Sequence, residues 1–92
     1  MDVQSQIDRA GFPAEMQVTT YEEVEGRVFR IRFRQGEIRR GLEILLTDDA
    51  MQMYGEGPMV ATVLQQLRKH ADDGLPVLEA GQEYERLVYV GD

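Results

Sequence analysis

The sequence predicts an α+β domain: a mainly antiparallel sheet of four or five strands with two helices packed on one face, in the order α-β-β-β-(β)-α-β. Three observations lead there. Residues 27–34, RVFRIRFR, alternate strictly, with Phe29, Ile31 and Phe33 on one side and Arg30, Arg32 and Arg34 on the other. Residues 58–72 repeat instead at helical spacing, with Val60, Val63, Leu64, Leu67 and Ala71 in one stripe. The 92 residues, 42% hydrophobic and 29% charged, match one globular domain with one core rather than two domains or a disordered chain.

The first element reads as a short helix. Asp2 caps it, Val3, Ile7 and Ala10 share a face, and Gly11 before Phe12-Pro13 ends it. Residues 15–24, EMQVTTYEEV, are rich in β-branched and aromatic types and form the first strand. Glu25-Gly26 turns the chain into the second strand, 27–34. Gln35-Gly36 reads as a two-residue hairpin turn into a third strand, 37–46, with Ile38, Leu42, Ile44 and Leu46 on one face. That turn sets Phe33 opposite Ile38, Phe29 opposite Leu42, Arg32 opposite Arg39 and Arg34 opposite Glu37. A slip of one residue would turn one strand's apolar set outward, so the core demands this parity.

TDDA at 47–50 reads as a turn, and AMQMY at 50–54 as a short fourth strand. GEGP then introduces the helix at 58–72, with Pro58 in its first turn and Arg68, Lys69 and His70 near its negative end. Gly74 ends it, and GLPVLEAG at 74–81 is an apolar loop. The last strand, 83–90, EYERLVYV, is apolar in both phases, the pattern of an interior strand. The order helix, three strands, helix, with YGEGP before the second helix, is similar in outline to the double-stranded-RNA-binding fold. That family begins its second helix with phosphate-gripping lysines. The corresponding stretch here, PMVATVLQQL, has no base, and the final strand is extra, so no RNA-binding residue carries over.

Charge is distributed unevenly. The chain carries 17 acids and 10 Lys plus Arg, a formal net of −7. Residues 27–40 nevertheless hold six arginines against one glutamate, while the stretches on either side are acidic. Arg32 opposite Arg39 is a like-charge pair that needs an offsetting anion. Carboxylates of this chain are one source, with Glu43 and Glu22 or Glu23 within reach. An acidic protein surface or a nucleic-acid backbone is the other. Phe29 and Phe33 point away from the arginines, which weakens a base-stacking role. Arg40 falls in the apolar phase of its strand, and Arg86 shares a phase with Tyr84, Val88 and Val90. Each is expected to pack its stem and send its head to the sheet edge or to an anion.

The residues that would carry catalysis are sparse. With no cysteine, disulfides, thiolate metal sites and cysteine nucleophiles are excluded. Ser5 is the one serine and His70 the one histidine, and each sits on a helix at an unpromising distance for a nucleophile and base. Asp48-Asp49 and Asp72-Asp73 match a turn and a helix end, without calcium-loop spacing. GEG at 55–57 lacks the lysine of a phosphate loop. Met51, Met53 and Met59 gather around Tyr54, either as core filling or as an adaptable contact surface.

These readings favour a non-catalytic, acidic protein-interaction domain: an accessory subunit, adaptor or inhibitor that self-associates as a homodimer and uses no cofactor or metal. Its contact residues are expected to be Arg30, Arg32, Arg34, Arg39, Met51, Met53 and Tyr54. The alternative is a nucleic-acid binder using the arginine face of the 27–41 hairpin. The start of the chain lacks a signal-peptide pattern and no apolar run spans a bilayer, so a cytoplasmic location without membrane contact is expected.

Overall fold

The computed structural model describes residues 3–81 and 84–89. The elements are α1 (Val3–Arg9), β1 (Gln17–Glu23), β2 (Gly26–Gln35), β3 (Ile38–Thr47), α2 (Asp48–Tyr54), α3 (Glu56–Asp73) and β4 (Glu85–Tyr89). The fold is α+β, as the patterning predicts. The cap at Asp2 and both ends of the predicted last strand, residues 83 and 90, lie outside the described residues.

The four strands form one sheet in the order β1-β2-β3-β4. β1, β2 and β3 make an antiparallel meander, whereas β4 runs parallel to β3. The parallel pairing follows from α3. An 18-residue helix carries the chain roughly 27 Å back along the sheet, and residues 76–78 run on antiparallel to the lower part of β3, so β4 then rises beside β3 in its own direction. β4 is therefore an edge strand with mostly exposed residues, not the interior strand that its apolar composition suggested.

Three local expectations are corrected. The β1–β2 turn is Val24-Glu25, not Glu25-Gly26, because Gly26 already pairs with Glu23. Residues 50–54 are helical, not a strand. Thr47 caps α2, its Oγ1 accepting from the Ala50 amide at 3.2 Å, and Asp48 and Asp49 sit in the first turn, where the helix dipole favours anions. The β2–β3 turn is Gly36-Glu37, not Gln35-Gly36. Gly36 has φ +62°, and no other residue type takes a positive φ among the described residues. A two-residue loop with positive φ at its first position alone wants glycine there. The register therefore shifts by two residues: Phe33 faces Arg40, Ile31 faces Leu42 and Phe29 faces Ile44. A shift of two preserves side-chain parity, so each residue keeps its predicted face.

One face of the sheet carries the core. Phe29, Ile31, Leu42, Ile44 and Leu46 pack against Val60, Val63, Leu64, Leu67 and Ala71 of α3, with Ile7 of α1, Ala50 of α2 and Leu75 closing the periphery. The segment after α3 returns along the lower edge of β3, where Gly41 N donates to Pro76 O at 3.0 Å and Leu78 N to Arg39 O at 2.8 Å. It thereby continues the edge that β4 occupies higher up and buries Leu75 and Leu78. The other face of the sheet, called the outer face below, carries no helix.

Candidate functional site: the outer face and its arginine cleft

The pairings lay the outer face out as rows across the strands. Tyr21, Val28, Leu45 and Val88 form one row, and Thr19, Arg30, Glu43 and Arg86 the next. Gln17, Arg32 and Gly41 follow, then Arg34 opposite Arg39 at the β2–β3 end. The like-charge pair is thus Arg34 with Arg39, not Arg32 with Arg39 as the shorter register predicted.

Glu43 is the hub of the second row. It is the one buried charged residue among those described, at 6% exposure. Oε2 accepts from Arg30 Nε at 2.8 Å and Oε1 from Arg86 Nε at 3.1 Å. The other end of the Arg86 fork reaches Glu23, Nη2 to Oε1 at 2.8 Å and Nη1 to Oε2 at 3.1 Å. Glu23 and Arg86 stand on opposite edge strands, so their bidentate pair arches over the row between them. This explains why Val28 and Leu45 are 0% and 1% exposed on a face that no helix covers. Arg30 lies between two aromatic rings, its Cζ 4.9 Å from the Tyr21 centroid and 4.5 Å from that of Tyr84. The Glu43 hydrogen bond raises the Arg30 pKa, and the bonds from Glu23 and then Glu43 raise that of Arg86. The Arg86 hydrogen bond in turn holds Glu23 below the ordinary carboxylate range, while burial pushes Tyr21 up.

The other arginines of the hairpin are satisfied differently. Arg32 Nε donates to the Gln17 side-chain oxygen, and Arg34 Nε to Gly36 O at 3.2 Å. Arg39 Nη2 reaches Glu79 O at 3.4 Å, and Arg40, on the core side, sends Nη1 to Leu75 O at 2.9 Å. Arg32, Arg34 and Arg40 form no ion pair with a described carboxylate. All four border a concavity of about 620 Å³ at the β2–β3 end of the sheet, together with Glu15, Gln17, Arg30, Phe33, Leu78 and Tyr84. Gly41 belongs to its shape: a Cβ there would stand 3.0 Å from the Tyr84 ring and 3.1 Å from Ile31 O.

Of the predicted contact residues, Arg30, Arg32, Arg34 and Arg39 come together at this cleft, with Arg30 already held by Glu43. Met51, Met53 and Tyr54 do not join them. They ride on α2, which begins where β3 ends, at the far end of the strand from the cleft. Met51 packs against the core, while Met53 is 72% exposed and Tyr54 is also open. Arg40 is half-buried, and its head donates to Leu75 O rather than to an anion. Arg86 lies on the outer face as an ion-pair partner. Sequence reasoning missed the hub role of Glu43, whose signal was an acid in phase with arginines within a buried strand.

Ser5 and His70 lie on α1 and α3, away from the outer face, and no hydrogen bond joins them. No helix among the described residues is long and apolar enough to cross a membrane. No known protein family, curated protein or solved structure matches this chain.

Proposed function

We propose that this chain is a non-catalytic interaction domain whose arginine cleft receives an acidic segment of a protein partner. One observation carries the reading. In a chain with 17 acidic side chains, Arg32, Arg34 and Arg40 border one concavity whose lining includes a single carboxylate, Glu15, and they donate only to neutral oxygens. A guanidinium so placed keeps donors for a bidentate carboxylate. The apolar margin of Phe33, Leu78 and the Tyr84 ring suits a peptide segment with a hydrophobic residue among its acids. The net charge of −7 opposes a long polyanion more than a short acidic segment, because beyond about 8 Å at physiological salt the cleft's field is screened.

The test is fluorescence anisotropy at about 50 mM salt with a labelled glutamate-rich peptide and, separately, a labelled single-stranded oligonucleotide. The peptide should bind, and the double variant R32A/R34A should weaken it about tenfold, roughly 1.4 kcal/mol. Tighter retention of the oligonucleotide would assign the cleft to nucleic acid instead. Binding of neither probe would remove the function.

A further inference from the structure

The outer face satisfies its guanidinium groups in two different ways. In the row of Thr19, Arg30, Glu43 and Arg86 the sheet supplies its own carboxylate, and Arg30 Nε donates to Glu43 Oε2. The next two rows carry Arg32, then Arg34 opposite Arg39, and neither contains a strand carboxylate. Arg32 and Arg34 donate through Nε alone, to Gln17 Oε1 and to Gly36 O. Among the described residues nothing accepts from the terminal amino groups of either. One bond at the neck orients each guanidinium and leaves its Nη1–Nη2 edge for a ligand. The two exposed side chains leave the same face of β2 from Cα positions about 6.8 Å apart, within reach of one anionic group. Glu15, which precedes β1 on the rim, accepts from neither of them.

We infer that the acidic segment entering the cleft bears a phosphorylated side chain, its phosphate held by Arg32 and Arg34 together. The inference rests on the cleft being a site for acidic protein segments, and it names the acid. A carboxylate brings two oxygens and one negative charge, which match one guanidinium fork. A phosphate monoester brings three acceptor oxygens and a charge of about −1.5 to −2 at pH 7, which match two. The second charge also offsets the like-charge contact of Arg34 with Arg39 across the ladder. Leu78 and the Tyr84 ring border the same concavity and take an apolar residue beside the phosphorylated one. A single phosphate on an otherwise neutral segment escapes most of the repulsion that a net charge of −7 imposes on a polyanion or an anionic bilayer. Glu15 opposes any anion at this rim, so its neutralisation reports where the phosphate sits.

Fluorescence anisotropy on the full chain at about 150 mM salt tests this with three labelled peptides of one sequence, in which a leucine adjoins phosphoserine, glutamate or serine. The phosphoserine peptide should bind about tenfold more tightly than the glutamate peptide, and the serine peptide should not bind. R32Q and R34Q should each cut that preference to under about threefold, because one remaining fork serves either acid equally well. E15Q should tighten the phosphoserine peptide about threefold. Circular dichroism checks that each variant folds. A preference that survives both R32Q and R34Q, or an affinity that E15Q leaves unchanged, overturns the inference. An unlabelled oligonucleotide that displaces the phosphoserine peptide more readily than the unlabelled phosphopeptide does overturns it as well and gives the site to nucleic acid. Equal binding of the phosphoserine and glutamate peptides removes the phosphate but keeps the acidic cleft. Binding of neither removes both.

Discussion

Replacing Glu43 with glutamine tests the outer-face network most directly. The side chain is buried and accepts from two guanidinium groups at 2.8 and 3.1 Å. Charge-assisted hydrogen bonds of this kind contribute about 1.5–3 kcal/mol each. The full sum overstates the loss for two reasons. The arginine side chains are 29% and 35% exposed, so water recovers part of their solvation, and Arg86 keeps its bidentate partner Glu23. Glutamine also retains one acceptor oxygen in nearly the same place. The expected loss for E43Q is then about 2 kcal/mol, below the roughly 3–5 kcal/mol for breaking a fully buried pair. With a urea m-value of about 1 kcal/mol/M for a chain this size, the midpoint should fall by about 2 M. The melting temperature should fall by about 10 °C. A cycle with R86Q separates the network from simple loss of packing: the two changes should be non-additive by about 1 kcal/mol. A loss under about 0.5 kcal/mol for E43Q, or strict additivity with R86Q, would refute the claim that Glu43 ties β2 to β4.

Three further outcomes are expected. In G26A the new Cβ would stand 2.0 Å from Leu46 O, so the β2–β3 backbone must part, and urea unfolding should show a loss of about 3 kcal/mol. In T47A, α2 loses its side-chain cap, worth about 1 kcal/mol, and amide exchange should accelerate at Ala50 and Met51 before the rest of the fold is affected. The Arg86 hydrogen bond makes folded Glu23 release its proton at lower pH than the unfolded chain does. Its stabilisation is therefore present above the unfolded carboxylate pKa and lost as pH falls through the folded value, and E23Q should flatten that acid limb in urea midpoints measured between about pH 3 and pH 6.

How far the sequence could be read depended on the range of the forces involved. The faces of β2 and β3 were legible because period-two alternation is local and the core tolerates one parity only. The turn was not, since Gln35-Gly36 and Gly36-Glu37 both satisfy that parity and differ in where a glycine φ of +62° is needed. α2 was misread through its β-compatible AMQMY, although Thr47-Asp48-Asp49 already carried a capping pattern and a favourable dipole charge. β4 looked interior because composition reports apolarity and not neighbours. The arginines were placed on the correct face, but their division into held and available groups was hidden. It depends on Glu23, Glu43 and Arg86, which come from three strands and meet only once the sheet is assembled.

The sequence distance between β3 and β4 has a consequence for how the sheet forms. β1, β2 and β3 pair through short turns, but Leu42 and its partner Glu85 are separated by the helical excursion through α2 and α3, so that closure is entropically the slowest. Until it happens, Leu42–Leu46 is a bare, greasy template for any passing strand. In the middle of that stretch Glu43 has one oxygen held by Arg30 and the other directed to the β4 side, so a strand without a cation there pairs at a cost. In the folded sheet it is Arg86 of β4 that supplies that cation.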